Sequence, residues 1–145
     1  MSKIEDFLSA EQEQTIIKAI KIAEKNTSGE IRVHIEKTTS KPPLEKALEV
    51  FYSLEMDKTE QRNGVLIYIA VESKQFAILG DEGINAKVSE DFWDLEKELM
   101  LSYFKKAAYT KGIELAILKV GEKLKEFFPY QDNDTNELSD EISRS

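Results

Sequence analysis

Val65-Leu66-Ile67-Tyr68-Ile69-Ala70-Val71 is an unbroken apolar run of seven residues. A run this short and this rich in β-branched and aromatic residues reads as a strand covered on both faces, at the centre of a sheet. Arg62-Asn63-Gly64 breaks the chain before it, and Glu72-Ser73-Lys74 follows it. Three polar residues suffice for a hairpin turn, so Gln75 to Leu79 is the antiparallel return strand. Gly80-Asp81-Glu82-Gly83 ends that strand.

Working outward towards the N-terminus, Pro42-Pro43 opens a helix with Pro43 at its first position, where the missing N–H costs nothing. Leu44, Ala47, Leu48, Phe51 and Leu54 are spaced as its buried stripe. Before it, Glu30 to Glu36 alternates: Ile31, Val33 and Ile35 share one face, and Arg32, His34 and Glu36 share a polar one, on which His34 is expected to be solvated or ion-paired. Thr27-Ser28-Gly29 separates this strand from a first helix. That helix is capped by Ser9 with Gln12 as capping-box partner, and Ile16, Ala19, Ile20 and Ala23 form its stripe. Working outward in the other direction, a short strand is expected near Ile84 to Val88. Ser89 then caps a third helix, with Phe92, Leu95, Leu99, Tyr103 and Phe104 facing inward. Lys105, Lys106 and Lys111 form a small basic group near its end, which complements the helix dipole. A fourth helix runs from Thr110 through Ile113, Ala116, Ile117, Val120 and Leu124, and Pro129 stops it.

The order predicts an α/β chain: a three-layer α/β/α sandwich with a mixed, mostly parallel sheet of about four to five strands and helices on both faces. One domain covers residues 1–129. Residues 130–145 hold Asp132, Asp134, Glu137, Asp140 and Glu141 against Arg144 alone, and read as a disordered acidic tail.

Composition narrows the function. The chain has 145 residues, 20 Lys and Arg against 28 Asp and Glu, a net charge of −8, one His and no Cys. Without Cys there is no disulfide framework, thiol nucleophile or thiolate zinc site. The acidic balance argues against nucleic acid and anionic membranes as partners. No apolar run reaches the roughly 18 residues of a membrane span. The first residues lack the apolar stretch of a signal peptide, so the expectation is a cytoplasmic monomer.

The topology brings three loops together. A helix joins the Glu30 strand to the Val65 strand, so the two run parallel and start at the same end of the sheet. The return strand finishes there. Ser28-Gly29-Glu30, Arg62-Asn63-Gly64 and Gly80-Asp81-Glu82-Gly83 therefore meet, with the Asp57 loop beside them. Two readings stand. Asp81, Glu82, Glu30 and Asp57, with the Asn63 amide oxygen and backbone carbonyls, suit a hard cation such as Ca²⁺ or Mg²⁺. Alternatively, Arg62 holds Glu30 or Asp81 in an ion pair. Gly29, Gly64, Gly80 and Gly83 would let the backbones approach closely in either case.

The blocks Thr27-Ser28-Gly29-Glu30-Ile31-Arg32-Val33, Arg62-Asn63-Gly64-Val65-Leu66-Ile67-Tyr68-Ile69-Ala70 and Phe76-Ala77-Ile78-Leu79-Gly80-Asp81-Glu82-Gly83-Ile84, in this order, resemble the TPM domain. Tyr109 to Ile117 resembles its last-helix pattern. The resemblance spans roughly Phe7 to Pro129 and is greatest to the short, stand-alone TPM proteins of marine flavobacteria. It implies an α/β/α sandwich and, in some members, bound divalent cations at the acidic Gly80–Gly83 loop. Members include a thylakoid-lumen acid phosphatase, a photosystem II repair factor and a modulator of acetylcholine receptors. The expected function is a Ca²⁺- or Mg²⁺-binding interaction module that docks a protein partner. The alternative is a metal-dependent acid phosphatase acting on phosphate monoesters, with Arg62 orienting the phosphate and no catalytic residue assigned.

Overall fold

The computed structural model describes residues 8–129 and 142–144. Its elements are α1 (Ala10–Glu24), β1 (Glu30–Glu36), α2 (Pro43–Ser53), a 3-10 turn (Met56–Lys58), β2 (Gly64–Ala70), β3 (Gln75–Gly80), α3 (Glu82–Asn85), α4 (Phe92–Phe104), α5 (Tyr109–Phe127) and β4 (Ser143–Arg144). The strand order is β3-β2-β1-β4. β1 and β2 are parallel, with Glu30 opposite Gly64, and β2 and β3 are antiparallel, with Val65 opposite Gly80. The long strands are thus three, with one parallel and one antiparallel pairing. β4 adds two parallel residues opposite His34 and Ile35.

Both faces of β2 are buried, as its seven apolar residues require. Val65, Ile67 and Ile69 enter a large apolar cluster with Ile16 and Ile20 of α1, Met100 of α4 and Ile113 and Ile117 of α5. Leu66, Tyr68 and Ala70 enter a smaller cluster with Ala47, Val50 and Phe51 of α2 and Met56. Helices therefore cover both faces, three long ones on one side and α2 alone on the other. α1 and α5 approach closely because Gly121 leaves room: a Cβ there would lie 2.5 Å from that of Ala23.

Four local expectations are corrected. Along α2, Leu44 and Leu48 are exposed, and Val50 takes their place beside Ala47 and Phe51. The helix is turned by about one position, because it meets the narrow sheet through an i, i+3, i+4 patch. α4 starts at Phe92, with Asp91 as its N-cap residue rather than Ser89. The Ser89 carbonyl closes a turn with the Phe92 N–H, and the Ser89 hydroxyl donates to Asp91. The inward stripe of α4 is Phe92, Glu96 and Met100, while Leu95 is exposed. The short strand expected near Ile84 to Val88 is absent among the described residues: Glu82–Asn85 form the helical turn α3, which the Asp81 side chain caps.

The expected disordered tail falls mainly on residues 130–141, which lie outside the described residues. Further on, Ile142 is buried in the large cluster, and Ser143–Arg144 pair with β1.

Candidate functional site

Local hydrogen bonding assembles the loop end of the sheet. The Glu30 N–H donates to the Asn63 carbonyl at 3.5 Å, the Asp81 N–H to the Gly64 carbonyl at 2.9 Å, and the Gly83 N–H to the Arg62 carbonyl at 2.8 Å. Arg62 adopts a left-handed backbone, φ 53°, whereas no described glycine has positive φ. The glycines here serve close approach, not turning. A Cβ on Gly83 would lie 2.2 Å from the Gln61 carbonyl oxygen, and one on Gly80 2.4 Å from the Trp93 ring.

Arg62 and Asp81 form a two-pronged ion pair, with Nε to Oδ2 at 2.7 Å and Nη2 to Oδ1 at 2.9 Å. The Asp81 Oδ1 also accepts the Glu82 N–H at 2.8 Å. Arg62 Nη1 lies 3.3 Å from the exposed Glu82 carboxylate. The Asp81 hydrogen bond, then the charges of Asp81, Glu82 and Asp57, hold the guanidinium protonated more firmly than usual. The ion-pair reading is therefore realised with Asp81, not Glu30.

The other expected residues are placed as follows. Glu30 is buried at the start of β1, opposite Gly64. Asp57 sits in the 3-10 turn and reaches Arg62 through charge. Asn63 is 1% exposed, and its Nδ2 donates to Ser28 Oγ at 3.2 Å. Its Oδ1 is buried without a hydrogen-bond partner. Gly29 abuts Leu124, and Gly64 opens β2. Among the described residues, no three His, Asp or Glu side chains stand together as a metal-binding cluster. Asp81 and Glu82 meet around Arg62, but the four expected acids do not form one cage.

Sequence reasoning missed the support beneath this loop. Trp93 Nε1 donates to Asn85 Oδ1 at 2.7 Å, and Asn85 Nδ2 donates to the Gly80 carbonyl at 2.9 Å. The signal was an Asn five residues after Gly80 and a Trp eight residues after the Asn, too sparse to single out. Also missed was a buried polar group under α2. His34, expected to be solvated or ion-paired, is 4% exposed, stacks on Tyr68 and has Nε2 3.8 Å from Glu36 Oε1. Its Nδ1 lies 2.9 Å from Ser143 Oγ, and the Tyr68 hydroxyl donates to Glu36. Burial lowers the His34 pKa, against the pull of Glu36, and burial raises that of Tyr68.

This arrangement, three loops braced on a β2–β3 hairpin, lies within the segment that the TPM domain profile matches, residues 2–123. The chain belongs to the TPM domain family. Among solved structures, this TPM domain is similar to the BA42 protein of the psychrophilic bacterium Bizionia argentinensis. The two are 50% identical, with 100% of both chains covered and a TM-score of 0.90. It shares its fold with the N-terminal domain of a P. gingivalis protein, at 15% identity, 86% and 83% coverage and a TM-score of 0.72. The N-terminal domain of cg2496 from Corynebacterium glutamicum matches at 13% identity, 81% and 74% coverage and a TM-score of 0.63. No curated protein matches. Among the described residues, no helix is long and apolar enough to cross a membrane.

Proposed function

We propose that this TPM domain is a divalent-cation-responsive interaction module, with Ca²⁺ or Mg²⁺ engaging the loop end. The observation that carries this is Asn63 Oδ1, a buried oxygen without a hydrogen-bond partner in the loop that also holds the Arg62–Asp81 pair. A buried acceptor left unsatisfied costs about 1–3 kcal/mol, which a cation ligand would relieve. Asp81 and Glu82 supply carboxylates. Backbone carbonyls and water complete the six to eight oxygens that Ca²⁺ takes. Arg62 is the internal competitor: the ion displaces its guanidinium from Asp81 and Glu82, and the released Arg62 remodels the surface that a protein partner meets. Two carboxylates in an open site give weak binding, on the order of 0.1–1 mM, as in the weakest calcium modules.

The test is an amide and side-chain NMR titration with Ca²⁺ and with Mg²⁺, beside a phosphate-ester turnover assay. Saturable shifts at residues 28–30, 57–64 and 80–83, led by the Asn63 side-chain amide and lost in Asp81→Asn, support the module. Silence at concentrations roughly ten-fold above that range rules it out. Metal-dependent turnover lost in Asp81→Asn would replace it with the phosphatase reading.

A further inference from the structure

At the far end of β2, some 20 Å along the strand from the Arg62 loops at about 3.3 Å per residue, the fold opens a cavity. It measures about 470 Å³ and lies between the β2–β3 turn and the α4–α5 turn. That volume is in the range of small-molecule sites. Its walls are Ile69, Val71, Phe76 and Phe104, with Leu101 at the rim. The rings are set edge to face: Phe76 and Phe104 are 5.0 Å apart, and Phe104 and Tyr109 5.3 Å. Leu101 is 41% exposed, an uncovered apolar side chain at the mouth.

Two further observations give the cavity a polarity. Lys74 and Lys105 both line it. In a chain of net charge −8, no Asp or Glu stands beside them in the lining among the described residues, so the cavity's charged groups are both cationic. Both turns that carry the rim also hold a left-handed residue other than glycine, Lys74 at φ 54° and Ala107 at φ 57°. Such backbone costs roughly 1–2 kcal/mol per residue and gathers at ligand sites. At Ala107 it closes the end of α4, with the Ala108 N–H bonded to the Tyr103 carbonyl at 2.9 Å, a position that glycine ordinarily fills.

We propose that this cavity binds a small amphipathic anion, an unbranched or aromatic apolar body bearing a single carboxylate. The body lies against Ile69, Phe76 and Phe104, and the carboxylate meets the Lys74 and Lys105 ammonium groups. A neutral apolar ligand would leave both lysines without a counter-charge, and a cation would be repelled by them. The volume of about 470 Å³ and the open mouth suit a medium-length chain whose charged end stays near water.

The test is an NMR titration of the full chain with decanoate, and with decyltrimethylammonium as the cation of matched chain length, both below their micelle concentrations. Decanoate is expected to give saturable shifts confined to residues 69–76 and 101–109, with the cation binding at least roughly ten-fold more weakly. The double variant Lys74→Glu, Lys105→Glu should lose decanoate binding by a similar factor. Both side chains are exposed, so its amide spectrum elsewhere serves as the folding control. Equal binding of anion and cation, shifts spread over the surface without saturation, or unchanged affinity in the double variant would each overturn the proposal. None of these outcomes bears on the cation reading, whose reporters are residues 28–30, 57–64 and 80–83.

Discussion

The two ends of the central strand are built on opposite plans. At the start of β2 the chain is tight and polar. Gly83 lies against the Gln61 and Arg62 carbonyls, Asp81 is gripped by Arg62, and Trp93 and Asn85 hold the Gly80 carbonyl from below. At its finish the chain is open and apolar, with two lysines outside any ion pair among the described residues at the rim of a cavity. One end stores its charge in mutual contacts, and the other leaves charge available. The lesson is that paired and unpaired charge can sit on the same strand, separated only by its length.

The sharpest way to break this comparison is Gly83→Ala. A methyl 2.2 Å and 2.5 Å from two backbone carbonyl oxygens cannot be accommodated by a side-chain rotation. The expected loss is about 3 kcal/mol or more, read by urea denaturation. A midpoint matching the parent would mean that the loop end is not tight.

Next comes Glu96, which lies midway along α4 between the two ends. It is buried with Oε2 unpartnered, and burial raises its pKa to about 7, the Lys119 charge partly opposing. A carboxyl that holds its proton in the fold but loses it in the unfolded chain destabilises as pH rises from about 4.5 to 7. Glu96→Gln should therefore gain roughly 1–3 kcal/mol at pH 8 and much less at pH 4. A gain independent of pH would show that the carboxyl is not the cause.

Asp81→Ala removes the acceptor of the Glu82 N–H and should cost at least about 1 kcal/mol through the lost cap. Its amide spectrum should change at Arg62 and Gly83 but not at Phe76 or Phe104. Changes at the cavity would show that the two ends communicate. The smallest effect is expected at Ala107→Gly, which relieves the left-handed strain but loosens the unfolded chain. The balance is a change of about 0.5 kcal/mol, in the stabilising direction, opposite in sign to Gly83→Ala. A thermal melt of the two variants side by side measures the contrast directly.

The strands were legible because their residue types mark them: apolar residues at period two in β1, although its polar face is buried too, and a continuous apolar run in β2. The convergence of the three loops followed from the parallel crossover together with the antiparallel hairpin. Helix faces were less legible where apolar residues outnumber the buried positions. On α4, Leu95 and Leu99 look as suitable as Phe92 and Met100, and nothing in a sequence marks Glu96 as a core residue. At the site, Arg62 pairs with Asp81 rather than Glu30 from a left-handed backbone, a conformation that no glycine in the sequence announces. The unpartnered Asn63 oxygen is equally silent, since it is defined by what does not reach it.

The short pairing of Ser143 and Arg144 with β1 has a consequence in time. Its partners are His34 and Ile35, more than a hundred residues earlier in the chain. On the ribosome, where chains grow at about 5–20 residues per second, β2 can join one edge of β1 soon after it is made. The other edge of β1 waits for residue 144. During that interval it presents unpaired backbone groups of the kind that recruit neighbouring strands. The Ile31 N–H bonded to the Glu24 carboxylate at 2.8 Å shields the early part of that edge, leaving Ser143 and Arg144 to seal the stretch at His34 and Ile35.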